Sequence, residues 1–491
     1  MRILRNIALL VSLVVMLVGC SSVPANYVTI ELVEKVTCTY DASTFDVDYI
    51  IHPAYDGTPS AYGRYATAED SWVESVDCTD EGVLRITVAA NDGVARTTTV
   101  TLHGSNFKPA TLTISQMAAP SAEVDRTLIF HFFGTSLGTY FKTNIKDATQ
   151  AIKEGALCDN NRVVCILQIN STSGSIFELC YNPSDGEVVQ RHIDNFTLNS
   201  SLVSPDEIGS LIRKAADSAP AKSYALVLAG HGTGWIPRDT SRGGASTLGI
   251  TYDSWIPAAG AEVTRNFGES NIKLNITELT DGISRSGLSL EFILFDACFM
   301  SNIEAVYDLR DAAKYIIASP CEIMGRGFPY HRTLHHLFGE NYDIEKAAES
   351  YYLFYRDEYV GGARCGSVAL YDCAEVESLA EATRAVMATA TDDYDRASLQ
   401  TYEGKTTHEF YDFGEFVNIV ATDEAALAMF NEQLERTVIA KFTLPTFYSA
   451  YGNYGTYDIN EEVYSGVTTS APSKAYPEAW TETNWYNAVI E

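Results

Sequence analysis

Leu228-Ala229-Gly230-His231-Gly232-Thr233-Gly234-Trp235 and Leu290-Glu291-Phe292-Ile293-Leu294-Phe295-Asp296-Ala297-Cys298-Phe299-Met300 share one construction. Each is a short apolar run that ends abruptly in residues able to do chemistry. Near-continuous apolar runs of this length read as strands buried on both faces of a parallel sheet. Three more follow the same rule: Thr127 to Phe133, Val163 to Leu167 and Tyr315 to Ala318. Amphipathic stretches lie between them, from Tyr140 to Glu154, Ser204 to Ser218 and Asn302 to Ala313. The alternation predicts an α/β domain with a mostly parallel sheet flanked by helices. Ligands of open sheets bind beyond the carboxyl ends of the strands, which is where His231 and Cys298 fall.

The residue types fit a nucleophilic site. Glycines on both sides of His231 leave its imidazole clear of bulky neighbours and let backbone N–H groups approach a ligand. Cys298 follows a strand and precedes a predicted helix, a place where the backbone dipole favours thiolate. The reading is a Cys/His dyad. Cys298 attacks a carbonyl, His231 handles the proton, and the backbone N–H groups of Gly232 and Cys298 receive the oxyanion. The bland alternative is a core thiol and a packed histidine. Trp235 either lines the same cleft or packs as a strand-exit ring. The segment Pro320 to Tyr330 is expected to form part of the cleft.

Working outward, the chain has 491 residues with 34 Lys or Arg against 64 Asp or Glu, a formal charge of −30. That excludes nucleic acid as a partner, because polyphosphate binding needs concentrated positive charge. Arg2 and Arg5 precede an apolar run from Ile7 to Val18, followed by Leu17-Val18-Gly19-Cys20. The run is too short for a permanent membrane helix but suits an export signal. Its ending resembles a bacterial lipobox, which implies a signal over residues 1–19, lipid attachment at Cys20 and a tether over 20–26. The alternative is a cleaved secretory signal with an incidental cysteine. Export to the cell envelope, on its periplasmic or surface face, follows from either.

From 27 to 117 the pattern has period two, with β-branched runs at Leu84 to Ala89, Thr97 to Leu102 and Ala110 to Ile114, and it reads as a small β-sandwich. Ser71-Trp72-Val73, Thr87 to Asn91, Arg96 and Thr111 to Gln116 resemble the BACON-type immunoglobulin-like modules of exported bacterial proteins. The resemblance implies a spacer, with glycan binding as the lesser reading. Cys38 and Cys78 are candidates to pair in an oxidising compartment. A Pro-containing linker at 118–125 separates this module from a second domain over 126–491.

Gly230-His231-Gly232, Asp296 to Met300 and Glu304 to Arg310 resemble the clostripain family of caspase-like cysteine endopeptidases, with further support from Tyr315 to Ser319, Tyr411-Asp412-Phe413, Tyr464 to Val467, Trp480 and Trp485. The resemblance implies a caspase-like sheet, Cys298 as nucleophile, His231 as general acid and base, peptide or protein substrates, and cleavage after Arg or Lys. Asp296 matches the family position for the basic-residue pocket. Strand alternation also turns Asp296 to the same face as Cys298, and a desolvated carboxylate is what a basic side chain needs. Self-cleavage is implied in the loop after the histidine strand, here 236–271, with Arg242 the foremost bond and Arg238 and Arg265 the others. The sequence itself requires no cofactor and shows no metal motif. Calcium rests on the resemblance alone, since no EF-hand spacing is present.

Two further readings compete: a non-catalytic envelope binding or adhesion lipoprotein that retains the fold, and a transpeptidase using the same dyad. Cys321 is a second thiol in the predicted cleft without a histidine block. His331, His335 and His336 lack the His-Glu-x-x-His pattern of a zinc helix.

Overall fold

The computed structural model describes residues 29–52, 63–104, 108–120, 122–157, 160–168, 170, 172–182, 186–199, 204–237, 258–265, 275–339 and 342–490. Cys20 and the expected export signal over 1–19 lie outside them. The chain divides into two compact units, one of Met1–Val36, Ser43–Ala89 and Thr98–Ile114, the other of Thr37–Ala42, Ala90–Thr97 and Ser115–Glu491. No described helix is long and apolar enough to cross a membrane.

The first unit is all β. Strands Thr29–Leu32, Ser43–His52, Val83–Val88 and Val73–Asp77 form one antiparallel sheet in that spatial order. The Ser43–His52 strand alternates outward and inward along its second half, with Val47, Tyr49 and Ile51 buried, which is the period-two pattern of a sheet with one wet face. Cys38 and Cys78 are both buried and free.

The second unit is built on a nine-stranded sheet. Its strands are β1 (Val124–Phe132), β2 (Asn161–Gln168), β3 (Ser173–Asn182), β4 (Glu187–Thr197), β5 (Ala221–Ala229), β6 (Leu290–Asp296), β7 (Ala313–Ala318), β8 (Val368–Asp372) and β9 (Val438–Phe442). The spatial order is β4-β3-β2-β1-β5-β6-β7-β8-β9. The five central strands are mutually parallel; beyond them each strand pairs antiparallel with its inner neighbour, so β3 and β8 run against the centre and the outermost β4 and β9 run with it. The fold is therefore mixed α/β with a large, mostly parallel sheet, as the apolar runs predict. The β3–β4 pair and the antiparallel β8 and β9 extend it beyond the five predicted strands.

Alternation along the strands sorts side chains onto two cores. Leu128, Phe130, Phe132, Ala225, Val227, Phe292 and Leu294 face one side, where helices Gly138–Lys153 and Ile344–Asp357 cover them. Ile129, Leu226, Leu228, Ile293 and Phe295 face the other, under helices Pro205–Ser218, Ile276–Arg285 and Val376–Met387. A strand buried on both faces needs apolar residues at consecutive positions, so these runs read as continuous rather than alternating. The helix starts are locally encoded: Ser204 caps Pro205–Ser218 through a reciprocal pair with Glu207, with proline in the first turn.

The strand order reverses beside β1, which is the first strand of this sheet in sequence yet lies between β2 and β5. A crevice opens at such a point because successive connections leave to opposite sides. The ends of β1, β5 and β6 meet there.

Candidate functional site

Register places the two predicted groups side by side. Ala229 of β5 pairs with Asp296 of β6, so His231 and Cys298 each stand two residues beyond one rung of the ladder. The Gly230 amide donates to the Asp296 carbonyl at 3.3 Å. A Cβ on Gly232 would lie 2.4 Å from the Cys298 carbonyl oxygen and 3.1 Å from its nitrogen. Glycine at 232 is thus what lets the histidine loop close onto the cysteine backbone. His231 is half-buried, and its Nε2 shares a hydrogen bond of 2.8 Å with the Ser136 hydroxyl. Gly134, at φ +120°, lets the loop after β1 turn beside the imidazole; a Cβ there would meet His231 Cδ2 at 3.3 Å.

Cys298 is fully buried. The Ile323 amide donates to its Sγ at 3.1 Å, and the Sγ donates to the Ile323 carbonyl at 3.7 Å. Burial first, then the Glu322 charge, push the thiol well above its ordinary value, against the Ile323 hydrogen bond and the Arg265 charge. The expected thiolate bias from a following helix is therefore corrected. That helix, Ile303–Leu309, begins five residues on and is capped by Asn302, too far for a dipole effect that fades within one turn. Phe299, next to the thiol, holds a left-handed φ of 59° while stacking on Phe410 at 4.4 Å, a strained conformation kept by its surroundings.

Beside the thiol lies an arginine of the chain itself. Arg265 is fully buried, and its Nη1 meets Asp296 Oδ2 at 2.9 Å. Its other donors reach the Asp296 carbonyl at 3.1 Å, the Gly325 carbonyl at 3.3 Å and Asn144 Oδ1 at 2.5 Å, and Phe141 lies against the guanidinium. Asp296 also accepts from the Tyr330 hydroxyl at 2.7 Å and the Phe328 amide at 3.2 Å. Burial drives its carboxyl above the ordinary range, and Arg265 is the main opposing influence. Gly327, at φ +69°, forms the floor: a Cβ there would sit 2.2 Å from Arg265 Nη2.

The backbone around Arg265 is held like an added strand. The Arg265 amide donates to the Ile323 carbonyl and the Gly325 amide to the Val263 carbonyl, both at 2.7 Å, with Thr264 bridged antiparallel to Met324. The Arg265 carbonyl accepts from the Gly232 amide at 3.2 Å. A peptide carbonyl thus points at a backbone donor next to a thiol, with an imidazole on the neighbouring strand end. That arrangement can support acyl transfer to sulfur.

Of the remaining predicted residues, Trp235 is packed: it is 4% exposed, its Nε1 donates to Ser470 Oγ at 2.8 Å, and Tyr476 meets its ring edge-on. These contacts hold Trp235 as a packed ring at the exit of the strand. Arg238 and Arg242 lie outside the described residues. The segment Pro320 to Tyr330 lines the cleft through Ile323, Gly325, Gly327 and Tyr330. Cys321 is buried core beside Ser319. His331 pairs with Asp147 at 3.2 Å and His335 with Glu154 at 3.5 Å. Among the described residues no three His, Cys, Asp or Glu converge on one point that could hold a metal ion.

Sequence reasoning did not find Asn144, Ser136 or Glu322. Asn144 carried a faint signal, a polar residue on the buried face of an amphipathic helix. The C-terminal blocks act as a buttress. Buried Glu304 accepts from Thr469 Oγ1, the Ser470 amide and Trp480 Nε1, and the Thr468 amide donates to the Ser301 carbonyl, fixing the turn after Cys298.

Residues 135–473 match the model of the clostripain family. No curated protein matches the chain. Among solved structures, a secreted C11 cysteine protease from Bacteroides thetaiotaomicron, "iotapain", is similar at 31% identity and a TM-score of 0.65, over 75% of this chain and 99% of that one. An inactive zymogen C11 protease from Parabacteroides distasonis is similar at 26% identity and a TM-score of 0.62, over the same shares. A secreted Bacteroides thetaiotaomicron C11 protease in complex with an irreversible peptide inhibitor shares the fold at 24% identity and a TM-score of 0.62, again over 75% and 99%. With the family model spanning most of the chain and the sheet, histidine loop and cysteine turn in place, this protein belongs to the clostripain family of C11 cysteine peptidases.

Proposed function

We propose that the chain is an endopeptidase that cleaves after Arg or Lys through His231 and Cys298, and that it first cuts itself after Arg265. The observation that carries the reading is Arg265. Its side chain fills the Asp296 pocket, its carbonyl rests on the Gly232 amide, and its flanks pair as a strand with 323–325. This is how a basic substrate residue would sit immediately before a scissile bond.

The Cys298 sulfur attacks the Arg265 carbonyl carbon as its proton passes to His231, and the oxygen takes the negative charge at the Gly232 and Cys298 amides. Collapse breaks the bond to Asn266, whose amine leaves with the proton from His231. Water, deprotonated by His231, then releases the acid and restores the thiol. Ser136 orients the imidazole through Nε2. Asp296 explains the basic preference: without a cation it would be a fully buried, unpaired carboxylate. Similarity to a zymogen form accords with a chain that occupies its own cleft before processing.

The same reading makes residues 1–19 an export signal, Cys20 a lipid attachment point and 27–117 a spacer before the peptidase domain at 126–491. Similarity to secreted C11 proteases supports export. Mass spectrometry of purified wild type and Cys298→Ala tests the whole. Wild type should yield a terminus at Arg265 and cut added peptides after Arg or Lys, while the variant stays intact. An intact wild type that leaves basic peptides uncut, with reductant present, refutes the reading.

A further inference from the structure

Phe299 follows Cys298 with its backbone in the left-handed region, where glycine is at ease and a residue with a Cβ is strained. Among the described residues only Ala471 shares this condition without being glycine. Two anchored amides bracket the bend. The Phe299 amide donates to the Cys321 carbonyl and the Ser301 amide to the Ser319 carbonyl, both at 3.0 Å. With Ser301 held downstream, a return of Phe299 to an ordinary negative φ has to be taken up by the Cys298–Phe299 peptide. That peptide lies against the histidine loop, as the 2.4 Å from a Cβ on Gly232 to the Cys298 carbonyl oxygen shows.

What opposes that return is a ring from another segment. Phe299 and Phe410 are both fully buried, and their rings stack with planes 2° from parallel. Phe410 is pinned in turn. Its amide donates to Glu403 Oε1 at 3.3 Å, its carbonyl accepts from the Tyr402 amide at 2.9 Å, and Glu403 is itself buried. The same pair borders the histidine loop: a Cβ on Gly234, which stands at φ +57°, would lie 2.9 Å from the Phe299 carbonyl oxygen and 3.1 Å from Phe410 Cε1. One aromatic pair thus meets both the turn that carries the thiol and the loop that carries the imidazole. Stacked rings favour one mutual geometry, so moving Phe299 out of the left-handed region means giving up the stack.

We infer that Phe410 is a positioning residue: by stacking on Phe299 it holds the left-handed bend after Cys298, and through that bend it sets the sulfur and the Cys298 amide against His231 and the reacting carbonyl. The inference rests on the peptidase reading above and adds to it a residue that acts through its neighbour rather than on substrate.

Full-length chains, allowed to process themselves and checked for a cooperative melt, are assayed on one Arg peptide for kcat and KM separately. Substitutions at 299 separate shape from backbone. Alanine keeps more of the buried volume than glycine, whereas glycine takes the left-handed bend without strain. Phe299→Gly should therefore exceed Phe299→Ala in kcat by about tenfold, the reverse of the order that packing sets. Phe410→Leu stays apolar but cannot stack, and it should lower kcat by about tenfold with KM unchanged. Placed on Phe299→Gly, the same Phe410→Leu change should cost less than about threefold, because glycine adopts the bend unaided. Folded Phe299→Ala that matches or exceeds Phe299→Gly, or a Phe410→Leu loss that is equal in both backgrounds, overturns the inference alone. Phe410→Leu with unchanged kcat does so even if neither change at 299 yields a folded chain. Wild type that cuts no peptide after Arg overturns the peptidase reading and this inference with it.

Discussion

Asp296 and Cys298 sit two residues apart on one strand end, face the same side and are equally buried, yet they are in opposite electrostatic condition. The carboxyl has a guanidinium at 2.9 Å and two further donors. The thiol has only the Ile323 peptide, with buried Glu322 disfavouring its ionisation. Burial raises both groups and Arg265 opposes the rise at both, but at the carboxyl it is the leading opposing influence, whereas at the thiol it comes after the Ile323 hydrogen bond and the Glu322 charge adds to the rise. The site is thus loaded before it is primed. The Asp296 pocket is complete with the chain's own arginine in it, while burial holds the sulfur as a neutral thiol; under the proposed function that thiol gives its proton to His231 only as it attacks.

The largest effect should come from removing the reacting groups. Cys298→Ala or His231→Ala is expected to lower kcat by on the order of 10⁴- to 10⁶-fold and to leave the Arg265–Asn266 bond intact on gels. If either retains near-native turnover, the thiol side of the comparison is assigned to the wrong residue. Asp296→Asn keeps the shape of the carboxyl but removes its charge. Breaking a buried pair from one side costs about 3–5 kcal/mol, so kcat/KM on Arg peptides should fall about 10²- to 10³-fold, with self-cleavage slowed in parallel. Undiminished cleavage after Arg would break the pocket assignment.

A third measurement sharpens the pocket rather than breaking it. Arg265 reaches four acceptors in different directions: Asp296 Oδ2, the Asp296 and Gly325 carbonyls, and Asn144 Oδ1. A lysine ammonium has three donors on a narrower head and leaves part of that set unmet. Arg peptides should exceed matched Lys peptides in kcat/KM by about 10- to 100-fold, and Asn144→Ala should narrow the gap.

The smallest effect concerns stability. Burial lifts Glu322 and Glu409 to about 7 and Asp412 to about 6. In the unfolded chain they titrate near 4, so the folded state holds more protons between about pH 4 and 7. Their contribution to stability is full below the unfolded value and is lost as pH rises through the folded one, at up to roughly 1 kcal/mol per pH unit for each group. The Cys298→Ala chain should melt at higher temperature at pH 5.5 than at 7.5, and Glu409→Gln should shrink the difference. A midpoint that falls on going from 7.5 to 5.5 would contradict the assignment of these carboxyls as proton-bearing.

The five central strands were legible because each is covered on both faces and needs an unbroken apolar run, as Leu290 to Phe295 shows. The pair β3–β4 was not, since β4 is largely exposed and its polar residues carry no such run. Asp296 was legible by parity with Cys298, a purely local argument. Asn144 and Glu322 were not, because nothing near them in sequence announces that their partner is residue 265 or 264.

The sequence by itself determined the sheet, the positions of His231 and Cys298 at adjacent strand ends, and the face that Asp296 shares with the thiol. These follow from strand period and apolar burial, which act over a few residues. Tertiary structure alone decided that Arg265 rather than another arginine fills the Asp296 pocket, that Glu322 grips the preceding hydroxyl, and that the thiol is held neutral. Those outcomes depend on which buried groups end within hydrogen-bond reach across 25 to 58 residues of chain, and on how little water remains between them.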